Sequence, residues 1–191
     1  MDKTLHVLRI LEKLSEKQFI PSIGPIKGKI IEGEIKKHLP KKILEIGALF
    51  GYSAILMARL LPRDGKVVTI EIDPKYADIA RKNIEYANLS NKIKVIVGDA
   101  LEVIPKLKEK FDFLFIDAAK EEYLNYLKLA EKNLKKGSIV IADNVGIFAY
   151  HLQDYLNYVR NSGKYKSKTI EVPLEFFKNI KDAMEISVKL F

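Results

Sequence analysis

Apolar residues in this chain form short, nearly unbroken runs, separated by stretches in which they recur every three or four positions. The runs predict five buried strands, at residues 42–46, 66–71, 94–97, 112–117 and 138–143. The stretches between them predict helices at residues 52–61, 74–87, 101–108 and 121–134. Apolar strands that alternate with helices are typical of a parallel sheet covered on both faces.

The first forty residues precede this alternation. Helical spacing predicts helices within residues 1–15 and 29–38, and the two prolines and two glycines of residues 19–28 predict a loop between them. We expect a single domain over the whole chain, because its length suits one core. In that domain, residues 1–40 are expected to supply helices and a covering loop, and residues 41–191 the α/β core.

The C-terminal part predicts a helix at residues 152–160 and extended segments at 167–172 and 184–190. Before it, the run Lys135-Lys136-Gly137 has the composition of a helix C-terminus and is expected to close helix 121–134. Neither a signal peptide nor an apolar run long enough to cross a bilayer is visible, so the expected location is the cytoplasm and no membrane partner is expected.

Composition narrows the chemistry. The 191 residues include no cysteine, which excludes disulfides and thiolate metal sites. The net charge is +8, and a basic surface is compatible with binding to nucleic acid. Arginine occurs at only five positions, however, and arginine is the side chain that most often recognises bases and phosphates. The charge therefore favours a solvated lysine coat over a nucleic-acid surface.

Glycines follow the first predicted strand, where residues 44–54 read LEIGALFGYSA. Gly47 allows a tight turn and a close approach of a ligand, and Gly51 allows the next helix to start close to its neighbours. The spacing matches neither the dinucleotide loop nor the Walker loop. Glu71 ends the second strand, and an acid at that place can accept hydrogen bonds from both hydroxyls of a ribose.

A further turn, Gly98-Asp99-Ala100, follows the third strand, where the adenine of a bound nucleoside is expected. These turns together predict a nucleoside site that lacks a cradle for a diphosphate. S-adenosylmethionine is a nucleoside ligand of that kind, and it is the cofactor we expect.

Acidic and amide side chains end the fourth and fifth predicted strands. Asp117 ends the fourth, and Asp143 and Asn144 end the fifth. Two carboxylates and an amide form an oxygen ligand set that suits Mg²⁺, with Ca²⁺ or Mn²⁺ as alternatives. Lys120 begins the helix after Asp117, where a cation is unfavourable to the helix dipole. A metal ion beside it would favour the neutral amine, which can act as a general base.

These motifs resemble those of the class I S-adenosylmethionine-dependent, cation-dependent O-methyltransferases of the catechol O-methyltransferase type. The resemblance runs from about Phe19 to the C-terminus. It is carried by the segments LEIGALFGYSA, IDAAK followed by Tyr123, and ADNV, and by the shorter segments IGPIKG, MARLL, PLEFF and DAME. It implies a Rossmann-like α/β fold with a seven-stranded, mostly parallel sheet of order 3-2-1-4-5-7-6 and helices on both faces.

The resemblance also implies roles for individual residues. The methionine part of the cofactor would be held by Glu45, Gly47, Ala48 and Ser53 and covered by Ile23, the ribose by Glu71, and the adenine by Asp99 and Ala100. The metal ligands would be Asp117, Asp143 and Asn144, with Asp117 also beside the cofactor. Lys120 would be the catalytic base, and the substrate would contact Lys120, Asn144, Glu175 and Phe19.

Two departures from the family pattern leave the acceptor open. Ala119 stands where a tryptophan is expected and Gly146 where a larger residue is usual, so the substrate cleft is expected to be wider or differently shaped. The expected partner is a small hydroxyl compound with adjacent oxygens, such as a catechol. The alternatives are a methyltransferase acting on tRNA and a non-catalytic protein that retains the nucleoside site. A homodimer is compatible with the family, although no residue identifies an interface.

Overall fold

The computed structural model describes residues 2–18, 20–175 and 177–191, and seven of its strands form one mixed sheet. The strands are β1 (Lys42–Ile46), β2 (Lys66–Glu71), β3 (Ile93–Val97), β4 (Phe111–Ile116), β5 (Leu134–Ala142), β6 (Tyr165–Leu174) and β7 (Phe177–Lys189). Their order is β3-β2-β1-β4-β5-β7-β6, which confirms the implied fold class. Strands β1 to β5 pair in parallel, whereas β7 runs antiparallel to β5 and to β6.

Helices cover both faces of the sheet. They are α1 (Lys3–Gln18), α2 (Gly24–His38), α3 (Tyr52–Ala58), α4 (Pro74–Tyr86), α5 (Ala100–Val103), α6 (Tyr123–Ala130) and α7 (Gln153–Asn161). Helices α1 to α4 pack in the core layer on one face, and α5 to α7 pack on the other. Within the described ranges, no helix is long and apolar enough to cross a membrane.

The unbroken apolar runs supply both core layers because successive strand side chains point to opposite faces. In β1, Ile43 packs with α1 to α4, whereas Leu44 packs with α5 to α7. In β4, Phe113 and Leu114 divide in the same way, and all four side chains are fully buried. A strand with two buried faces needs apolar residues at consecutive positions, which is the pattern that predicted it.

The predicted loop at residues 19–28 is shorter than expected, because α2 begins at Gly24. Pro25 occupies the first turn of this helix, where a missing N–H breaks no helical hydrogen bond. Gly28 faces α3, and a Cβ atom there would lie 3.3 Å from the side chain of Leu56. The proline and the glycine that suggested a loop therefore serve a helix start and a close contact between helices.

The predicted cap at Gly137 is also wrong. Helix α6 ends at Ala130 and continues as a 3₁₀ turn, Glu131–Asn133, after which β5 begins. Gly137 lies inside β5 with a φ of 82°, where the pairing with β4 shifts register. Its left-handed conformation serves a bulge in the strand, and a glycine is favoured at such a position.

The carboxyl ends of the central strands meet at one edge of the sheet. Immediately beyond β1, β4 and β5, the backbone N–H groups of Gly47, Asp117 and Asp143 still donate to carbonyl groups of the neighbouring strands, at 2.9 to 3.0 Å. The parallel pairing therefore extends into the predicted site. It fixes the backbone at the positions where the candidate side chains begin.

Candidate functional site

A cavity of about 650 Å³ opens at this carboxyl edge. The edge itself, the connection between α1 and α2, and the end of β6 supply its walls. The predicted site residues that line it are Ile23, Gly47, Ala48, Ser53, Glu71, Asp99, Ala100, Asp117, Lys120, Asp143, Asn144 and Glu175. Glu45 is not part of the wall, and Phe19 lies outside the described residues.

Two glycines of the glycine loop have a left-handed backbone conformation. Gly47 has a φ of 95°, and a Cβ atom there would lie 2.0 Å from the backbone carbonyl oxygen of Asp117. Gly51 has a φ of 82° and precedes α3, where a Cβ atom would lie 3.3 Å from Ala80 of α4. A side chain at either position would strain the backbone. The loop at the end of β1 and the turn at the end of β4 are thus in direct contact.

Glu71 is a buried acceptor at the end of β2. Its Oε2 accepts hydrogen bonds from the backbone N–H groups of Ala48, at 3.1 Å, and Leu49, at 2.7 Å. Its Oε1 accepts from the N–H of Asp73 at 3.0 Å. The carboxylate lines the cavity while it also holds the glycine loop. Its predicted contact with a ribose stays a prediction, and its contact with the loop is a role that the sequence did not reveal.

Glu45 is the next-to-last residue of β1 and is fully buried. Burial, and then the negative charges of Asp117 and Glu71, raise the pKa of this carboxyl to about 7. The hydroxyls of Ser53 and Thr69 lie near it and partly offset that shift, but neither carboxyl oxygen has a hydrogen-bond partner of good geometry among the described residues. Glu45 does not line the cavity, so its predicted contact with the cofactor stays a prediction.

The adenine end of the predicted site is shaped by Asp99. Its side chain accepts a hydrogen bond from the N–H of Leu101 at 2.8 Å and so begins α5. Ala100 is buried in the first turn of that helix. Ile23 is buried immediately before α2 and lines the same cavity. Both ends of the predicted cofactor site are therefore present in one cavity.

Lys120 projects into the same cavity from a 3₁₀ turn that precedes α6. Its Nζ lies 2.9 Å from Oδ1 of Asp117 and 2.8 Å from the hydroxyl of Tyr123. The same Nζ lies 5.7 Å from the centre of the Phe148 ring. The side chain is 15% exposed, so the amine has limited access to water and direct access to the cavity.

Asp143 is held by a lysine that the sequence analysis did not assign to the site. Lys27 of α2 is buried, and its Nζ lies 2.7 Å from Oδ1 of Asp143 and 2.6 Å from Oδ2 of Asp182. Burial opposes the positive charge, but the two carboxylates raise the pKa of Lys27 above its usual value. A signal was available, because Lys27 precedes Ile31 and Ile35 at four-residue spacing on the buried face of the helix.

The donor set at the ends of β4 and β5 fits a hard cation. Asp117 and Asp143 interact electrostatically, and burial together with Asp117 raises the pKa of Asp143 even with Lys27 in contact. A cation bound by both carboxylates would stabilise their ionised forms. Within the described residues, no three His, Cys, Asp or Glu side chains form a metal-binding group. The predicted set needs only two, because its third ligand is the amide of Asn144.

Glu175 follows β6 and lies against the start of α2. A Cβ atom on Gly24 would overlap its carboxyl group, and the Glu175 Oε2 is buried without a hydrogen-bond partner among the described residues. Burial raises the pKa of Glu175. The carboxyl group lines the cavity, as its predicted role in substrate binding requires.

The two departures from the family pattern have different consequences. Ala119 lines the cavity, so its small side chain does leave space there. Gly146 does not line the cavity, because it faces β7, and a Cβ atom would lie 2.7 Å from the backbone of Asp182. The expectation that Gly146 widens the cleft is therefore wrong. Phe148, two residues later, lines the cavity beside Lys120.

Comparison with known proteins identifies the family of the chain. Residues 5–188 match the family model described as O-methyltransferase. The chain belongs to this O-methyltransferase family. Mouse catechol O-methyltransferase is 36% identical over 181 residues, and zebrafish catechol O-methyltransferase B is 38% identical over 181 residues. Each alignment covers 91% of this chain and 67% of the relative.

Among solved structures, an O-methyltransferase from Bacillus cereus in complex with S-adenosylhomocysteine superposes with a TM-score of 0.85. It is 29% identical, and the match covers 96% of this chain and 90% of that one. The predicted family and fold class of this O-methyltransferase are thereby confirmed. The roles predicted for its individual site residues stay predictions.

Proposed function

We propose that this O-methyltransferase transfers the methyl group of S-adenosylmethionine to a hydroxyl of a small molecule with adjacent oxygens, using a divalent cation and Lys120 as the base. One observation carries the proposal. The Lys120 amine, 2.9 Å from Asp117, lies in the same cavity as Asp143, Asn144 and the glycine loop. The proposed base, the proposed oxygen ligands and the proposed nucleoside site thus line one cavity.

In this proposal the glycine loop and its neighbours bind the cofactor. Gly47 and Ala48 leave the backbone accessible to the methionine part, and Ser53 faces it with the unpartnered Glu45 behind. Glu71 keeps the loop in place and presents its remaining acceptor capacity to the ribose. S-adenosylmethionine, when bound, supplies an electrophilic methyl group, whose bond to sulfur breaks as its bond to the acceptor oxygen forms.

Asp117, Asp143 and Asn144 would hold the cation, for which Mg²⁺ is our first candidate. Such an ion supplies a Lewis acid that makes an adjacent hydroxyl more acidic. Lys27 and Lys120 each contact one of the two carboxylates in the structure. The two ammonium groups keep the acids paired, which supports a site that can exchange a lysine contact for an ion.

Lys120 would remove the proton of the acceptor hydroxyl. Its Nζ is oriented by the hydroxyl of Tyr123 and by Asp117. Asp117 is also a proposed ligand, so a bound cation would compete with Lys120 for its charge and would favour loss of one Lys120 proton to solvent. The resulting neutral amine would then accept the hydroxyl proton, and the enzyme needs no covalent intermediate. Glu175 and Asn144 would contact the second oxygen of the acceptor, and Phe19 stays a predicted contact.

The test is a methyl-transfer assay with radiolabelled S-adenosylmethionine on a catechol, a caffeoyl-type phenol, a monophenol and tRNA. We expect transfer to the acceptors with adjacent oxygens, loss of activity in EDTA, and recovery with excess Mg²⁺. Asp143→Asn should lose most activity, whereas Asp112→Asn, an acid at the opposite end of β4, should retain it.

Full activity in EDTA would refute the role of the cation. Transfer to tRNA alone, with strong dependence on salt, would show that the acceptor is a nucleic acid. Calorimetric binding of S-adenosylmethionine without transfer to any acceptor would indicate a binding protein.

A further inference from the structure

Asp182 of β7 is a buried acid outside the predicted site, and both of its carboxylate oxygens are used twice. Oδ2 accepts from Nζ of Lys27 at 2.6 Å and from Nδ2 of Asn144 at 2.9 Å. Oδ1 accepts from the backbone N–H groups of Gly146, at 3.2 Å, and Ile147, at 3.1 Å. The Asp182 carboxylate thus binds the side chain of Asn144, a proposed cation ligand, and also the turn that follows Asn144.

The turn after β5, whose N–H groups Asp182 binds, has an unfavourable backbone conformation. Asn144 has a φ of 60°, in the left-handed region that most residues avoid. Gly146 leaves no space for a side chain, since a Cβ atom would lie 2.7 Å from the backbone of Asp182. The turn after β5 is therefore pressed against β7, and the donors of the turn are satisfied by Asp182.

Lys27 connects the same carboxylate to the second proposed ligand. Its Nζ lies between Oδ2 of Asp182 and Oδ1 of Asp143, and all three side chains are at most 2% exposed. Burial makes these contacts directional and costly to lose. Asp182 thus contributes to the position of both proposed ligands. It contacts Asn144 directly and reaches Asp143 through Lys27.

We propose that Asp182 is a positioning residue for the cation site, which fixes Asn144 and the turn after it so that the oxygen ligands are in place before the ion binds. The inference rests on the proposed function, because it assumes that Asp143 and Asn144 are ligands. Partners that orient metal ligands commonly change metal affinity by about 10- to 100-fold when they are replaced.

The test measures Mn²⁺ affinity by electron paramagnetic resonance, through the signal of the free ion. Two substitutions separate position from charge. Asp182→Asn keeps the shape and removes the charge, whereas Asp182→Glu keeps the charge and displaces the carboxylate. A positioning role predicts about 10- to 100-fold weaker Mn²⁺ binding in both variants. Affinity for S-adenosylhomocysteine, measured by calorimetry, should change less than about twofold, since the glycine loop does not contact Asp182.

Asp112 offers a matched control. It accepts from the N–H groups of Lys41, at 2.9 Å, and Lys42, at 3.0 Å, and from Nζ of Lys135 at 2.7 Å. It therefore makes the same kinds of hydrogen bond at the opposite end of the sheet. Asp112→Asn and Asp112→Glu should bind Mn²⁺ as the unmodified protein does.

The outcomes are distinct. If the unmodified protein binds Mn²⁺ and Asp182→Glu binds it equally well, Asp182 acts through charge alone or not at all, and the inference is overturned while the proposed function stands. If the unmodified protein does not bind Mn²⁺, the cation site and the inference both fail. Should Asp182→Glu not fold, as judged by circular dichroism, Gly146→Ala gives the same test, because it keeps every charge and displaces the turn. Unchanged affinity there would overturn the inference.

Discussion

Two buried carboxylates at the same edge of the sheet are held in opposite ways. Glu71, at the end of β2, accepts three hydrogen bonds from backbone N–H groups. Asp143, after β5, is held by the N–H of Asn144 and by the ammonium group of Lys27. The first belongs to the proposed cofactor half of the cavity and the second to the proposed cation half.

The difference concerns the donors that hold each carboxylate. Backbone donors are fixed by the fold and carry no net charge, and Glu71 is held by donors of this kind. Asp143 is held in part by the ammonium group of Lys27, which is buried between Asp143 and Asp182. The cofactor half is therefore a cradle held by backbone, and the cation half is held by side-chain charges.

The two halves meet at Gly47, where a Cβ atom would collide with the carbonyl oxygen of Asp117. This contact leaves no space between the glycine loop and the turn that precedes Lys120. The glycine loop and the turn that leads to Lys120 are thus held together by a direct backbone contact.

The largest expected decrease in turnover comes from replacing Lys120. This replacement should affect the cation half and leave cofactor affinity unchanged. Lys120→Met removes the proposed base and keeps an unbranched side chain. We expect turnover to fall by about 10²- to 10⁴-fold, the usual contribution of general base catalysis. Affinity for S-adenosylhomocysteine, measured by calorimetry, should stay within about twofold, because the cradle does not contact this side chain.

Lys120→Arg is the control, because it keeps a positive charge that does not readily release its proton. It should be nearly as inactive as Lys120→Met. Turnover close to that of the unmodified protein in either variant, with a good acceptor, would contradict the role of Lys120 as base. A large loss of cofactor affinity would contradict the separation of the two halves.

Most of the fold follows from local patterns. The five parallel strands were predicted because each carries apolar residues at consecutive positions, as in Phe113 and Leu114 of β4. The start of α2 was not predicted correctly. Proline and glycine are common in loops, but Pro25 begins this helix and Gly28 allows it to pack closely. Only the position of Leu56 on α3, a tertiary contact, distinguishes the two.

The same limit applies to the site. Residues that follow strands, such as Asp117 and Asp143, could be predicted because parallel strands bring their ends together. Lys27 and Asp182 could not be paired, since 155 positions separate them and no local pattern connects α2 with β7. Gly146 was misinterpreted for the same reason, because the backbone that excludes a side chain there belongs to a distant strand.

A smaller effect, on the stability of the protein, is expected from Glu45, the buried acid of β1 that precedes the glycine loop. Its pKa in the folded protein is about 7, against a reference value of 4.5. Between these values the folded state binds the proton and the unfolded state does not, so the stability decreases as pH rises. The total change is about 3 kcal/mol. Glu45→Gln cannot titrate, so its stability relative to the unmodified protein should increase by about that amount between pH 5 and pH 8, as measured by urea denaturation.

Asp112→Asn is the control of opposite sign. Burial works against the charge of Asp112, but Lys135, 2.7 Å away, and the N–H groups of Lys41 and Lys42 hold the pKa of this carboxyl below its usual value. Its contribution to stability is present above that usual value and is lost only in more acidic solution. The cost of Asp112→Asn should therefore be the same at pH 5 and pH 8. Parallel stability curves for Glu45→Gln and the unmodified protein would show that Glu45 is ionised like an exposed acid.

The smallest expected effect concerns Phe148, which lines the cavity beside Lys120 and is 37% exposed. An aromatic acceptor whose hydroxyl reaches Lys120 should pack against this ring, a contact worth about 0.5–1 kcal/mol. Phe148→Leu should thus raise KM for a phenol about two- to fivefold and leave kcat unchanged. Tyr150→Leu, at an 81% exposed position, is the control and should change neither constant. If kcat fell instead, Phe148 would act on the base, and the cation half would extend to the rim of the cavity.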